Sequence, residues 1–205
     1  MINNQEIKGD APLSPYTSVP GWETEAEQGV LITVMQAVDD FECYPTIVEI
    51  GSENGMSASI FAKYGHENSS NIVCIEIDEN ANFWHNLQVL GLDRNIIPIY
   101  GNSAQMDWQV EAKRIEVKQA IDLLFIDGDH SYNGALADLR NFAPFVASGG
   151  YLLLHDCACE TNKLPHKQHR DVSEALNVWL KEAGKELGFK CLFTVDSLMV
   201  FRRMA

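Results

Sequence analysis

Basic residues are scarce in this chain. Its 205 residues carry 15 lysines and arginines against 29 aspartates and glutamates, a formal net charge of -14 at pH 7. Nucleic-acid binding relies on lysine and arginine to neutralise phosphates, so no nucleic-acid partner is expected. The same shortage argues against an anionic membrane surface. Long apolar runs are also missing: none approaches the roughly 18–20 residues needed to span a bilayer. The first stretch, MINNQEIKGDAPLSPYTSVPGW, is polar and proline-rich and has no apolar core of a signal peptide. A cytoplasmic location is the resulting expectation. Cysteines are few and odd in number (43, 74, 157, 159 and 191), which suits reduced thiols better than a disulfide framework. No internal repeat or low-complexity linker breaks the chain.

What is present fits one globular domain. Apolar content of 46% and charged content of 21% are ordinary, and the length allows a sizeable core. Residues 1–21 read as an N-terminal arm, because Pro12, Pro15 and Pro20 oppose a long helix. Residues 22–205 read as the single domain. Thr24 with Glu27 three positions on forms a capping-box signal, followed by helical spacing of Val30, Leu31, Val34 and Met35. Strand-like runs then recur at 46–50, 71–77, 95–100, 121–126 and 150–155, with helical or turn segments between them that include 56–65, 80–90 and 131–146. The runs are continuous rather than alternating, as in strands covered on both faces. The βα alternation predicts a doubly wound, mostly parallel α/β sheet with right-handed crossovers. Segments 189–195 and 198–202, joined by Asp196-Ser197, predict an antiparallel C-terminal hairpin.

In such sheets ligands bind beyond the C-terminal strand ends, so those residues carry the functional expectations. The first strand runs into EIGSENGMS, with Gly51 and Gly55 across the turn to a helix. Glycine lets a ligand approach the backbone, and the helix start offers free N–H groups. The spacing matches neither a dinucleotide fingerprint nor a phosphate-binding P-loop. Glu49 just before it suits a ligand with a cationic group. Glu76, at the second strand's tip, has the chemistry to accept both hydroxyls of a ribose. Asn102 and Ser103, after the third strand, suit the edge of a heterocycle or a helix cap. The fourth strand ends in LLFIDGDHSY and the fifth in LLLHDCAC. Neighbouring strands would set Asp127 beside Asp156, with His130 and His155 close by. Clustered acids repel one another without a cation or a shared proton. Two carboxylates suit Mg²⁺, and an imidazole widens the choice to another divalent metal. Asp129 reads as turn chemistry.

Together IVEIGSENGMSASIFA, IEID, GNSA and LLFIDGDHSYNGALADLRNFAPFVASGGYLLLHD resemble a class I S-adenosylmethionine-dependent methyltransferase, over roughly residues 20–202. The subgroup it is most similar to is the metal-dependent O-methyltransferases of antibiotic-sugar and cephalosporin-hydroxylase type. The resemblance implies a Rossmann-like sheet, S-adenosylmethionine as cofactor, and a small-molecule hydroxylated acceptor. It implies that Gly51, Ser52 and Gly55 line the methionine moiety, with Glu49 on its amino group. Glu76 and the adjoining Ile77 would take the ribose, and Asn102 and Ser103 the adenine. Asp127 would serve metal and cofactor, Asp156 and His155 would complete the metal site, and His130 would be the general base. The chain departs from the pattern at His155, where relatives usually carry an acid, and at Cys157, where catechol-type enzymes carry asparagine. A metal-dependent hydrolase and a catalytically silent cofactor-binding protein are the alternatives, and a homo-oligomer is left open.

Two further expectations concern the rim. The segment 156–171 reads as a long loop, with His166, His169 and Arg170 facing acceptor. Its rival reading is a zinc site of Cys157, Cys159, His166 and His169, at an uncommon spacing. Trp22 reads first as a staple onto the core and second as a cover over the cofactor.

Overall fold

Apolar residues of most strands point alternately to two helical layers. In the computed structural model, which describes residues 12–39, 44–65, 70–157 and 167–204, these layers sandwich a seven-stranded sheet. The elements run α1 (Glu25–Asp39), β1 (Thr46–Ile50), α2 (Met56–Tyr64), β2 (Asn71–Glu76), α3 (Ala81–Leu90), β3 (Ile96–Tyr100) and α4 (Trp108–Arg114). They continue through β4 (Ile121–Ile126), α5 (Tyr132–Phe142), β5 (Val146–Leu154), α6 (Lys167–Trp179), β6 (Phe189–Val195) and β7 (Leu198–Arg203). The strand order is β3-β2-β1-β4-β5-β7-β6. Strands β1 to β5 pair in parallel, and β7 runs antiparallel to both neighbours. The expected doubly wound sheet with its C-terminal hairpin is therefore the observed architecture.

β4 shows how the sequence builds the layers. Leu124 and Ile126 join the core under α5 and α6, while Leu123 and Phe125 join the core under α1 and α2. All four are buried, so the run cannot alternate with polar residues. At the strand's start, buried Asp122 accepts the Thr46 N–H at 2.7 Å and pairs with Lys118 at 2.8 Å.

Several boundaries differ from expectation. β5 begins at Val146, where a helix was expected to end, and reaches its straight part through Gly149, which sits at φ +84°. α6 begins at Lys167, so the loop after β5 is shorter than the sequence suggests. The proline-rich segment does not hang free: Leu13 and Pro20 form an antiparallel bridge, and Ser14 donates to Gln28 of α1 at 2.6 Å. The capping box at Thr24 and Glu27 forms in both directions, at 2.8 and 3.2 Å.

Candidate functional site

The chain changes winding direction between β1 and β4, the topological switch point of this sheet. Four backbone bonds there align five strand exits in one row. Gly101 N–H donates to Glu76 O at 2.8 Å, Gly51 N–H to Ile75 O at 2.9 Å, Asp127 N–H to Ile50 O at 2.8 Å and His155 N–H to Ile126 O at 3.1 Å. Gly51 is demanded by this row. It sits at φ +84°, and a Cβ there would lie 2.2 Å from the Asp127 carbonyl oxygen.

Above the row lies a cavity of ≈ 1130 Å³. Its lining includes Gly51, Ser52, Glu76, Ile77, Asn102 and Ser103 at one end, and Asp127, His130, His155 and Asp156 at the other. The volume exceeds the roughly 300–1,000 Å³ of a pocket for one small ligand, so cofactor and acceptor together are a physical fit. Glu76 orders the glycine loop: one of its oxygens accepts Ser52 N–H and Glu53 N–H, each at 3.0 Å. Asn102 caps the turn at Ser103–Gln105 by accepting Ala104 N–H at 2.9 Å, as its residue type predicts.

Glu49 and Gly55 do not line the cavity. Glu49 is wholly buried beneath the loop, where its carboxylate accepts from Ser52 Oγ at 2.7 Å, from Ser57 Oγ, and from Cys74 Sγ at 3.2 Å. It is therefore a bracket for the loop's underside and does not face a ligand. Gly55 at φ +87° lets the α2 start lie against Phe83, whose ring would be 3.0 Å from an added Cβ. Burial, opposed by the serine bonds, pushes the Glu49 carboxyl from 4.5 to about 7. The folded chain then binds that proton more tightly than the unfolded chain. Its contribution to stability is full below pH 4.5 and is lost as pH rises through about 7. Glu49→Gln is expected to reduce the fall in urea-melt stability across this range, and an unaltered slope would refute the assignment.

The opposite end is a carboxylate–imidazole cluster. Asp127 Oδ1 lies 3.2 Å from His130 Nε2 and 3.0 Å from His155 Nδ1. His130 Nε2 is also 3.4 Å from Asp156 Oδ2. Burial disfavours charge on Asp127, yet the two imidazoles hold its carboxyl at about 2. The hydrogen bond to Asp127 raises His130 against its own burial. Asp127, His130 and Asp156 each present one donor atom, all within 4.8 Å of one another, and this set fits a divalent cation. Asp129 takes the turn role: its oxygens accept Ser131 N–H at 2.9 Å and Ser131 Oγ–H at 3.0 Å, at the cap of α5.

His155 is not the imidazole of that set. It is buried with both ring nitrogens facing protein groups: Nδ1 meets Asp127, and Nε2 lies 3.3 Å from Glu27 and 3.2 Å from Ser197 Oγ. No ring nitrogen is left for a metal, so His155 drops out of the expected ligand set. Glu27, in turn, accepts Ser197 N–H and Oγ–H, both at 2.8 Å. Burial opposes its charge, but His155 and these donors hold it at about 2.

Sequence reasoning missed Glu23, Glu27 and Ser197, all of which line the cavity. Only the capping box drew notice to Glu27. Residues 20–24 line the cavity as a continuous strap, tied at Thr24 to Asp196 of the hairpin turn at 2.6 Å. Trp22 lies on this strap at 46% exposure, so it is not the core staple that was the first reading. Among the cysteines, 74, 157 and 191 are free. Of the suggested zinc set only Cys157, which is buried, can be placed; Cys159, His166 and the His169 side chain lie outside the described residues. Arg170 is exposed at the start of α6.

The model of a family described as "Methyltransferase domain" matches residues 48–157, more than half of the chain. No curated protein matches in sequence. Solved structures match in shape over most of their length. The O-methyltransferase NovP is 13% identical with a TM-score of 0.68, covering 87% of this chain and 80% of that one. The O-methyltransferase from Bacillus cereus, in complex with SAH, is 16% identical with a TM-score of 0.63, covering 90% and 84%. TomG from Streptomyces achromogenes, an O-methyltransferase of tomaymycin synthesis in complex with SAM, is 12% identical at 0.62, covering 89% and 82%. At such identities these likenesses speak for the fold alone.

Proposed function

The chain belongs to this methyltransferase-domain family, and from that premise we propose that it moves the methyl group of S-adenosylmethionine onto a hydroxyl oxygen of a small molecule. One observation carries the reading: a single cavity joins the glycine-loop and Glu76 end to the Asp127–His130–Asp156 end. Two of the named neighbours, O-methyltransferases in complex with SAH or SAM, support the donor and the oxygen acceptor. When bound, S-adenosylmethionine supplies a methyl group already activated on a sulfonium.

The protein's work is then to hold two ligands in line and to handle one proton. Gly51 and Ser52 offer a close backbone approach, Glu76 and Ile77 the ribose side, and Asn102 and Ser103 the adenine side. Asp127 and Asp156 are the carboxylates that would hold Mg²⁺ or another divalent ion, which would orient an acceptor hydroxyl and lower its pKa. His130, a third exposed and facing the cavity, is the group placed to take the hydroxyl proton. A small, uncharged or cationic acceptor suits these walls, whose lining includes no lysine or arginine among the described residues.

Calorimetric titration with S-adenosylmethionine and S-adenosylhomocysteine tests the reading. Micromolar binding of either is the expected result, weakened about tenfold or more by Glu76→Ala if the carboxylate holds charge-assisted bonds. Failure of both to bind at millimolar concentration would sink it.

A further inference from the structure

We propose that Glu23 is the docking carboxylate for an ammonium group carried by a ligand in this cavity. The inference rests on the methyltransferase reading and deepens it. Glu23 lies on the strap and lines the cavity, yet is only 7% exposed. Among the described residues no other residue donates a hydrogen bond to its carboxylate. The contact made there is to its backbone carbonyl, which accepts Gln28 Nε2 at 2.8 Å. Its own backbone N–H is the donor the carboxylate has, and a buried carboxylate so thinly supplied is costly, so native proteins tend to supply a further partner.

The protein has little to supply. The charges that act on Glu23 are those of Asp127, His155 and Glu49. Asp127 and Glu49 repel it. His155 attracts it, but its nitrogens face Asp127 and Glu27. The donor that the protein supplies so sparingly is one that a ligand in the cavity can bring. A cationic donor suits the site, because Glu53, Glu76, Asp127 and Asp156 share the same walls and no lysine or arginine lines them among the described residues. Glu49 was the sequence's candidate for a cationic group, and the structure turns that carboxylate away from the cavity. Glu23, 26 residues earlier, occupies the position that Glu49 lacks.

Two ligands can carry such a group: the cofactor, through its α-ammonium, and an acceptor bearing a basic amine. Both are tested on the full chain by calorimetry with wild type and Glu23→Gln. The first arm compares S-adenosylhomocysteine with its deaminated analogue. The second compares dopamine with catechol on protein saturated with S-adenosylhomocysteine. In at least one arm, wild type is expected to prefer the amine-bearing ligand by about tenfold or more, as for a hydrogen bond between charged groups. That preference should shrink below about twofold in Glu23→Gln. The arm that responds names the source. Glu23→Asp keeps the charge and should keep part of the preference, which a general loss of structure would not allow. A preference that survives intact in Glu23→Gln, or is absent from wild type in both arms, overturns the proposal. Absence of S-adenosylhomocysteine binding in wild type would instead overturn the methyltransferase reading beneath it.

Discussion

Asp127→Asn lowers kcat/KM for methyl transfer by about 100-fold or more, equivalent to roughly 3 kcal/mol of transition-state stabilisation. The acceptor for this measurement comes from a mass-spectrometric screen of hydroxylated small molecules for a methyl increment. The effect is large because Asp127 links the glycine loop to the imidazole cluster. Its carbonyl covers Gly51, and its carboxylate faces both His130 and His155. Asparagine keeps the size and one acceptor but removes the charge that aligns both rings and would hold a cation. His130→Gln should cost a comparable factor, since general-base catalysis contributes about 10²- to 10⁴-fold. S-adenosylhomocysteine affinity should move far less than turnover in both variants. Unchanged turnover in both would show that neither residue has its assigned role.

Glu27→Ala destabilises the fold by about 3–5 kcal/mol, the range for removing one partner of a buried ion pair. For a domain of this size that lowers the melting temperature by roughly 6–20 °C. Glu27 is almost completely buried and gathers Thr24 N–H, Ser197 N–H, Ser197 Oγ–H and the His155 ring. Truncation strands all of these donors at once. The pH dependence carries the same signature. The folded pKa of Glu27 is about 2 against an ordinary 4.5, so its stabilisation is full above pH 4.5 and is lost as pH falls through about 2. His155 is raised above 6.5, so its share is full below that value and fades as pH rises through the raised pKa. Thermal melts of Glu27→Gln should lose the acid limb. A melt that matches wild type across this range would remove the cluster from the account of stability. The same variant loosens the strap, because Glu27 and Thr24 tie α1 to the hairpin turn at Ser197 and Asp196.

The helices show what local sequence conveys. α1 was legible from a capping box and apolar spacing, because both signals lie within two turns of chain. α6 was equally legible in principle: Val172, Ala175, Leu176 and Trp179 are buried at helical spacing. Its first residues, Lys167 to Arg170, are polar, and a loop was the simpler reading of them. Trp22 shows the opposite limit. A tryptophan beside a helix start packs on the core in many proteins, and only the path of the strap brings it to the cavity rim.

By itself the sequence determined the five parallel strands, the C-terminal hairpin and the row of polar residues at the strand exits. Strand burial and turn chemistry are local, so continuous apolar runs that stop at Gly51, Glu76, Asn102, Asp127 and Asp156 mark the functional edge without coordinates. Tertiary structure alone decided which polar groups face the cavity. Residues i and i+2 of a strand share a face, but whether that face opens on solvent or on a helix depends on what packs there. Glu49 is closed off by Ser52 and Ser57, and His155 is consumed by Asp127 and Glu27. The contacts of Glu27 with His155 and Ser197 span 128 and 170 residues, distances over which no local pattern carries information. The strap that brings Glu23 into the cavity is placed by those same long-range bonds.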